Sequence, residues 1–159
     1  MSGVEVVAYF VDSSALVKRY VQEVGTSWVR GVTRSKPDSY IYIASITSVE
    51  VTSAIARRRA GKTLLPARAS SILSRFRRHL AGRDNVLEIS PDLMSNAMRL
   101  ANLHELRAYD AVQLAVAIGM PKDWEDAGFG SILFVSSDKK LNEAATAEGR
   151  SVDDPREHL

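Results

Sequence analysis

Four carboxylates in this chain of 159 residues stand where chemistry could use them. Asp12 closes the apolar run of YFVDSSALVKRY, Glu50 lies in ITSVEVTSAIARR, Asp110 in LRAYDAVQLAVAI and Asp138 in FVSSDKKLNEAA. Asp110 is the only charge between Tyr109 and Met120. It is therefore expected to be buried, where a lone carboxylate needs a cation, a proton or a metal. Each acid also has an ordinary structural role open to it. Asp12 suits a helix cap, although Ser13 or Ser14 would serve as well. Thr47-Ser48-Val49-Glu50 matches a capping box. Asp110 has Arg107 three positions back, and the helix start gives some relief. Asp138 suits the first turn of a helix capped by Ser136 or Ser137.

Taken together, the four are expected to converge at strand ends and helix starts. Packed carboxylates repel and raise one another's pKa, and a divalent cation resolves that conflict. Hard oxygen donors with no cysteine favour Mg²⁺ or Mn²⁺ over Zn²⁺. Such a cage suits phosphodiester hydrolysis by metal-activated water. Asp12, Asp110 and Asp138 are the expected ligands, with Glu50 acting directly or through water. Ser13, Ser136 and Ser137 would support them by orienting a carboxylate or water. His79, His104 and His158 have no ligand spacing and are read as surface or structural residues. The chain has no Walker loop, no G-x-G-x-x-G and no G-x-S-x-G elbow.

The elements that must position these acids follow from apolar patterning. Strands are expected at Val4–Val11, Tyr40–Ala44, Asn85–Ile89 and Ile132–Val135, with a small edge strand at Ser151-Val152. Helices are expected from Ser13 or Ser14 to about Val21, over Thr26–Arg34, over Thr47–Ala60 stopped by Gly61, and from Leu65 to near Gly82. Further helices are expected over Asp92–Leu103, Arg107–Gly119 and Asp138–Ala147, and a polar loop over Pro121–Gly130. This alternation predicts one α/β domain over residues 1–159, a mostly parallel central sheet flanked by helices. In open α/β sheets, sites form beyond the carboxyl ends of strands, where Asp12 and Asp138 fall.

Hydrophobic residues at 45% and charged residues at 25% fit an ordinary soluble globular chain. No signal peptide or membrane-spanning run is evident, and the absence of cysteine accords with a reducing, cytoplasmic setting. The net charge of +2 hides an asymmetry: residues 1–83 hold 14 Lys+Arg against 5 Asp+Glu, and residues 84–159 hold 7 against 14. Arg57, Arg58, Arg59, Lys62, Arg68, Arg75, Arg77 and Arg78 follow one another with no acid between them. Arg57, Arg58, Arg59, Arg75 and Arg78 are candidates for a surface that meets RNA or a protein partner; a solvated helix face is the plainer alternative.

The blocks YFVDSSALVKRY, ITSVEVTSAIARR, HELRAYDAVQLAVAI and ILFVSSDKKLNEAATAEG resemble, in order and rough spacing, the successive blocks of the PIN-domain family. The likeness covers nearly the whole chain. It implies a Mg²⁺- or Mn²⁺-dependent ribonuclease whose four acids fall on Asp12, Glu50, Asp110 and Asp138. The fourth block has Ser136-Ser137 where the family often has Thr first, which keeps a hydroxyl. The short form resembles the VapC toxins of type II toxin–antitoxin pairs. That resemblance implies an endoribonuclease acting on RNA, a small antitoxin that blocks the acidic cleft, and a homodimer formed through the first helical regions. The alternative from another class is a noncatalytic nucleic-acid or protein-binding module on the same fold. A haloacid-dehalogenase type of phosphatase would want a second Asp at Ser14, and a receiver domain would want adjacent acids near Asp12. Neither is present.

Overall fold

The computed structural model describes residues 6–34, 36–120 and 132–158. The expected Pro121–Gly130 loop and the start of the first expected strand lie outside them. Strand β1 (Val7–Val11) is followed by a short helix α1 (Ser13–Leu16), a 3-10 turn (Val17–Arg19) and helix α2 (Thr26–Val32). Strand β2 (Ser39–Ala44) leads into the helix pair α3 (Thr47–Ala60) and α4 (Pro66–Gly82). Strand β3 (Asn85–Leu87) leads into the pair α5 (Pro91–His104) and α6 (Ala108–Gly119). Then come β4 (Ile132–Val135), α7 (Lys139–Ala147), β5 (Ser151–Asp153) and a 3-10 turn (Pro155–Glu157).

The five strands form one parallel sheet in the order β3-β2-β1-β4-β5. Side chains alternate across a strand, and each face carries its own core. Phe10, Ala44 and Phe134 face α5, α6 and α7, with the Phe10 and Phe134 rings stacked at 5.8 Å. Val11, Ile41, Ile43 and Val135 face α1, α3 and α4, packing on Leu16, Val51, Ile55, Ile72 and Phe76. Helices thus cover both faces, as a parallel sheet requires. Among the described residues, no helix is long and apolar enough to cross a membrane.

The strand order fixes where a site can form. From β1 the chain runs outward to β2 and β3, then returns to lay β4 on the other side of β1. The crevice where that order reverses lies between the carboxyl ends of β1 and β4, which pair Val11 with Val135. The next residues along the two strands lead directly to Asp12 and Ser136.

Several boundaries depart from the sequence expectation: β3 ends at Leu87 rather than Ile89, and α2 at Val32 rather than Arg34. The helix expected from Ser13 to Val21 is only one turn, tightening to 3-10 over Val17–Arg19. The last helix starts at Lys139 because Asp138 is its cap: Asp138 Oδ1 accepts from the Leu141 N–H at 3.0 Å. Neither Ser136 nor Ser137 caps it.

Candidate active site

Asp12 is the most buried of the four acids, 2% exposed just past the end of β1. Its Oδ1 accepts from Ser14 Oγ at 2.7 Å and from the Ala15 N–H at 3.0 Å, so it caps α1 in place of the serines expected to do so. Ser136 Oγ donates to its Oδ2 at 2.8 Å. Burial pushes the Asp12 carboxyl up to about 7, although these hydrogen bonds favour the charged form; nearby Asp110 adds repulsion. Capping and a place in the site therefore coexist in one residue.

Glu50 is aimed by other means than a capping box. The residue before α3 is Ile46, and no side chain caps the helix. Thr47 Oγ1 instead accepts from Gln113 Nε2 at 2.8 Å. Glu50 Oε2 accepts from Ser13 Oγ at 2.9 Å and Oε1 from Gln113 Nε2 at 2.8 Å. Gln113 is buried on α6, three residues after Asp110, and its Oε1 has no partner among the described residues. The sequence reading passed over it. The available signal was an amide inside an apolar helix, one turn from a carboxylate.

Asp110 is half-buried at the start of α6, less enclosed than its apolar flanks suggested. Burial raises its pKa to about 6, and the charges of Asp138 and Glu50 add to the rise; Arg107 opposes it. Asp110, Asp138 and Glu50 line the same cleft. Asp138 takes its place from a backbone clamp: its N–H donates to Ser136 Oγ at 3.1 Å, and the Ser137 N–H donates to Ser14 Oγ at 3.0 Å. Ser13 and Ser136 thus contact carboxylates, whereas the Ser137 hydroxyl is buried without a partner among the described residues. Ser14, read from sequence only as a cap, links Asp12 to the β4 loop.

A cleft of about 450 Å³ opens over Glu50, Asp110 and Asp138, lined also by Ser13, Ser14, Arg57 and Tyr109, with Asp12 outside its lining. Val49 and Tyr109 line the same cleft and are well exposed. Among the described residues, no three Asp, Glu or His side chains are drawn close enough to hold a metal ion as they stand. The donor set fits a hard divalent cation by its chemistry: carboxylates that repel one another, with no thiolate and no histidine among the cleft lining.

The expected basic surface divides. Arg57 lines the acidic cleft, Arg58 is paired with Glu23, and Arg75 lies over the Tyr20 ring at 5.3 Å. Arg59 and Arg78 are exposed. The run is free of acids in sequence but not in space. The histidines have structural partners, as expected: His79 with Tyr20, His104 with Glu148, and His158 with Asp153 and the face of Trp28.

The family profile described as PIN domain matches residues 9–147. No curated protein matches the chain by sequence. Among solved structures, the chain is similar to PAE2754 from Pyrobaculum aerophilum, with 22% identity, coverage of 98% of this chain and 94% of that one, and a TM-score of 0.59. It is also similar to VapBC2 from Rickettsia felis bound to a DNA fragment from their promoter, with 13% identity, 92% and 98% coverage, and a TM-score of 0.61. A third is VapC20 from Mycobacterium tuberculosis, a sarcin-ricin loop cleaving toxin, with 17% identity, 86% and 94% coverage, and a TM-score of 0.59. At these identities the likeness is one of fold.

Proposed function

Because the chain belongs to the PIN-domain family, we propose that it is a Mg²⁺- or Mn²⁺-dependent endoribonuclease, the toxin of a type II toxin–antitoxin pair. The observation that supports the reading is that Glu50, Asp110 and Asp138 line one cleft together with Ser14, whose hydroxyl donates to the buried Asp12. Asp12, Asp110 and Asp138 would hold the cation, with Glu50 joining them directly or through water. When bound, the cation neutralises charge on the attacked phosphate and lowers the pKa of water.

The chain's own groups do the rest. Ser14 and Ser136 fix both oxygens of Asp12, and Ser13 and Gln113 fix both oxygens of Glu50. Such supports hold ligands in productive geometry. Arg57 and Arg107 line the cleft and meet phosphates flanking the reacting one. Tyr109, 60% exposed at the rim, offers a face on which an unstacked base can lie.

The proposed partner is a small antitoxin that lays a basic side chain among the carboxylates and covers Val49 and Tyr109. Support comes from solved relatives of the same fold that are toxin–antitoxin complexes, including one from Klebsiella pneumoniae. A homodimer is the proposed assembly. The test is cleavage of RNA by the purified protein in Mn²⁺, then with excess chelator. Internal cuts that stop with chelation support the reading. No cleavage under either condition favours the noncatalytic binding module instead.

A further inference from the structure

A second charged site lies at the other edge of the sheet. Arg34 and Lys36 precede β2, and Arg83 precedes β3, so all three stand at the amino ends of strands. β2 spans six residues; at about 3.3 Å per residue the groove is roughly 20 Å from the acids. Two adjoining depressions share Thr33, Arg34 and Arg83 and so form one groove. Arg30 and Arg75 line one part, and Lys36, Ser39 and Asn85 the other. No carboxylate lines either part.

Its floor is a finished polar network. Arg19 and Asp84 are both buried and form a two-pronged pair at 2.9 Å on each prong. Arg19 Nε donates to Thr33 Oγ1 at 3.1 Å, and Tyr20 OH contacts His79 Nδ1 at 2.6 Å. Above this floor, Arg30, Arg34, Lys36, Arg75 and Arg83 have no ion-pair partner among the described residues. Two of them are held in place. Arg30 Nε donates to the Arg19 carbonyl at 3.1 Å, and Arg75 rests over the Tyr20 ring. Ser39 Oγ, at the same groove, has no hydrogen-bond partner among the described residues.

We infer that this groove binds the phosphate backbone of single-stranded RNA, as a site separate from the acid cleft. The choice of RNA among polyanions rests on the ribonuclease reading above. Five cations without ion-pair partners among the described residues, spread along two adjoining depressions, match a ligand that repeats its charge, and such binding gains from counterion release. A protein partner would need apolar anchors at the centre of its contact. Apart from Tyr40 and the buried Ile41, the lining offers none. The electrostatics agree: burial first, then Arg19 and Arg83, push the His79 pKa down to about 4.

The test uses the Asp110→Asn protein in chelator, so that the RNA stays whole. Anisotropy of a fluorescein-labelled, mixed-sequence single-stranded RNA is followed across a salt series, with and without Arg34→Gln and Arg83→Gln. Loss of two phosphate contacts should flatten the slope of log K against log salt by about 1.4 and weaken low-salt binding about tenfold or more. Unchanged affinity and slope would overturn the proposal. Arg34→Lys with Arg83→Lys should retain most of the binding; if the lysine pair loses as much as the glutamine pair, the effect is not one of charge and the proposal fails. Cleavage by the otherwise wild-type protein reads the other claim separately. Cleavage with an unchanged slope sinks the groove alone. A groove-dependent slope without cleavage sinks the nuclease alone.

Discussion

The acid cleft and the basic groove are two answers to the same problem, like charges brought together without partners. At the carboxyl edge of the sheet, Asp12 is sealed in, and burial drives it toward the protonated form near neutral pH. At the amino edge, the arginines cannot shed their protons and remain largely exposed, while the titratable neighbour, His79, is driven neutral instead. The cleft draws two acids from each half of the chain, whereas every groove cation comes from the first 83 residues. Enclosure separates the two roles. Partly buried carboxylates sharing a cleft suit a compact divalent ion, and an open groove of exposed cations suits an extended polyanion.

The largest effect should come from the cleft. Asp110→Asn keeps the side-chain shape and removes the charge, and Asp110 makes none of the hydrogen bonds that hold its neighbours. Cleavage in Mn²⁺ should fall by more than the roughly 10–100-fold cost of losing a group that only orients a ligand. Circular dichroism should show an intact fold. Near wild-type turnover would remove Asp110 from the site.

Gln113→Ala should follow, with a loss of about 10–100-fold, because it frees Glu50 Oε1 without touching a ligand of the cation. Gln113→Glu would keep the size and add a fifth carboxylate to the cluster, and should not rescue. If Gln113→Ala cleaves as well as wild type, Glu50 is held by Ser13 alone.

A smaller effect separates the two regions by pH. In chelator, folded Asp12 and Asp110 retain protons that an unfolded chain releases near 3.8. Between about pH 4 and 7 they therefore make stability fall as pH rises. His79 acts with the opposite sign: its folded pKa is about 4 against 6.5 unfolded, so it makes stability rise over that range, weakened by its partial exposure. Melting temperatures across this range should diverge. Asp12→Asn with Asp110→Asn should remove the decline and leave a rise, and His79→Gln should steepen the decline. Parallel profiles for wild type and the carboxylate double variant would deny the raised pKa values.

How much of this was legible in sequence varies with the kind of contact. Short continuous apolar runs located β2 and β4 to within a residue, and Gly61 and Gly119 marked helix ends, because those signals are local. The acids could be picked out because strand-end carboxylates stand against apolar flanks. Their supports could not. Gln113 reaches Glu50 and Thr47 from 63 and 66 residues away, and Ser14 meets the Ser137 backbone across 123. The basic run at Arg57–Arg78 hides its spatial partners for the same reason. Glu23 claims Arg58 from outside the run, and the groove is completed by Arg30, Arg34 and Arg83, which no local pattern joins to Arg75.

If the carboxylates form one divalent-cation site, Mn²⁺ must bind the folded protein there. Asp110→Asn with Asp138→Asn is the informative variant, since asparagine still caps α7 and both replacements keep their shape. The wild-type melting temperature should rise with Mn²⁺ concentration, by about 2.7 kcal/mol of stabilisation at a hundred times the dissociation constant. The double variant, melted in parallel, should show no rise. An equal rise in the variant would place the cation elsewhere on the molecule and contradict the account.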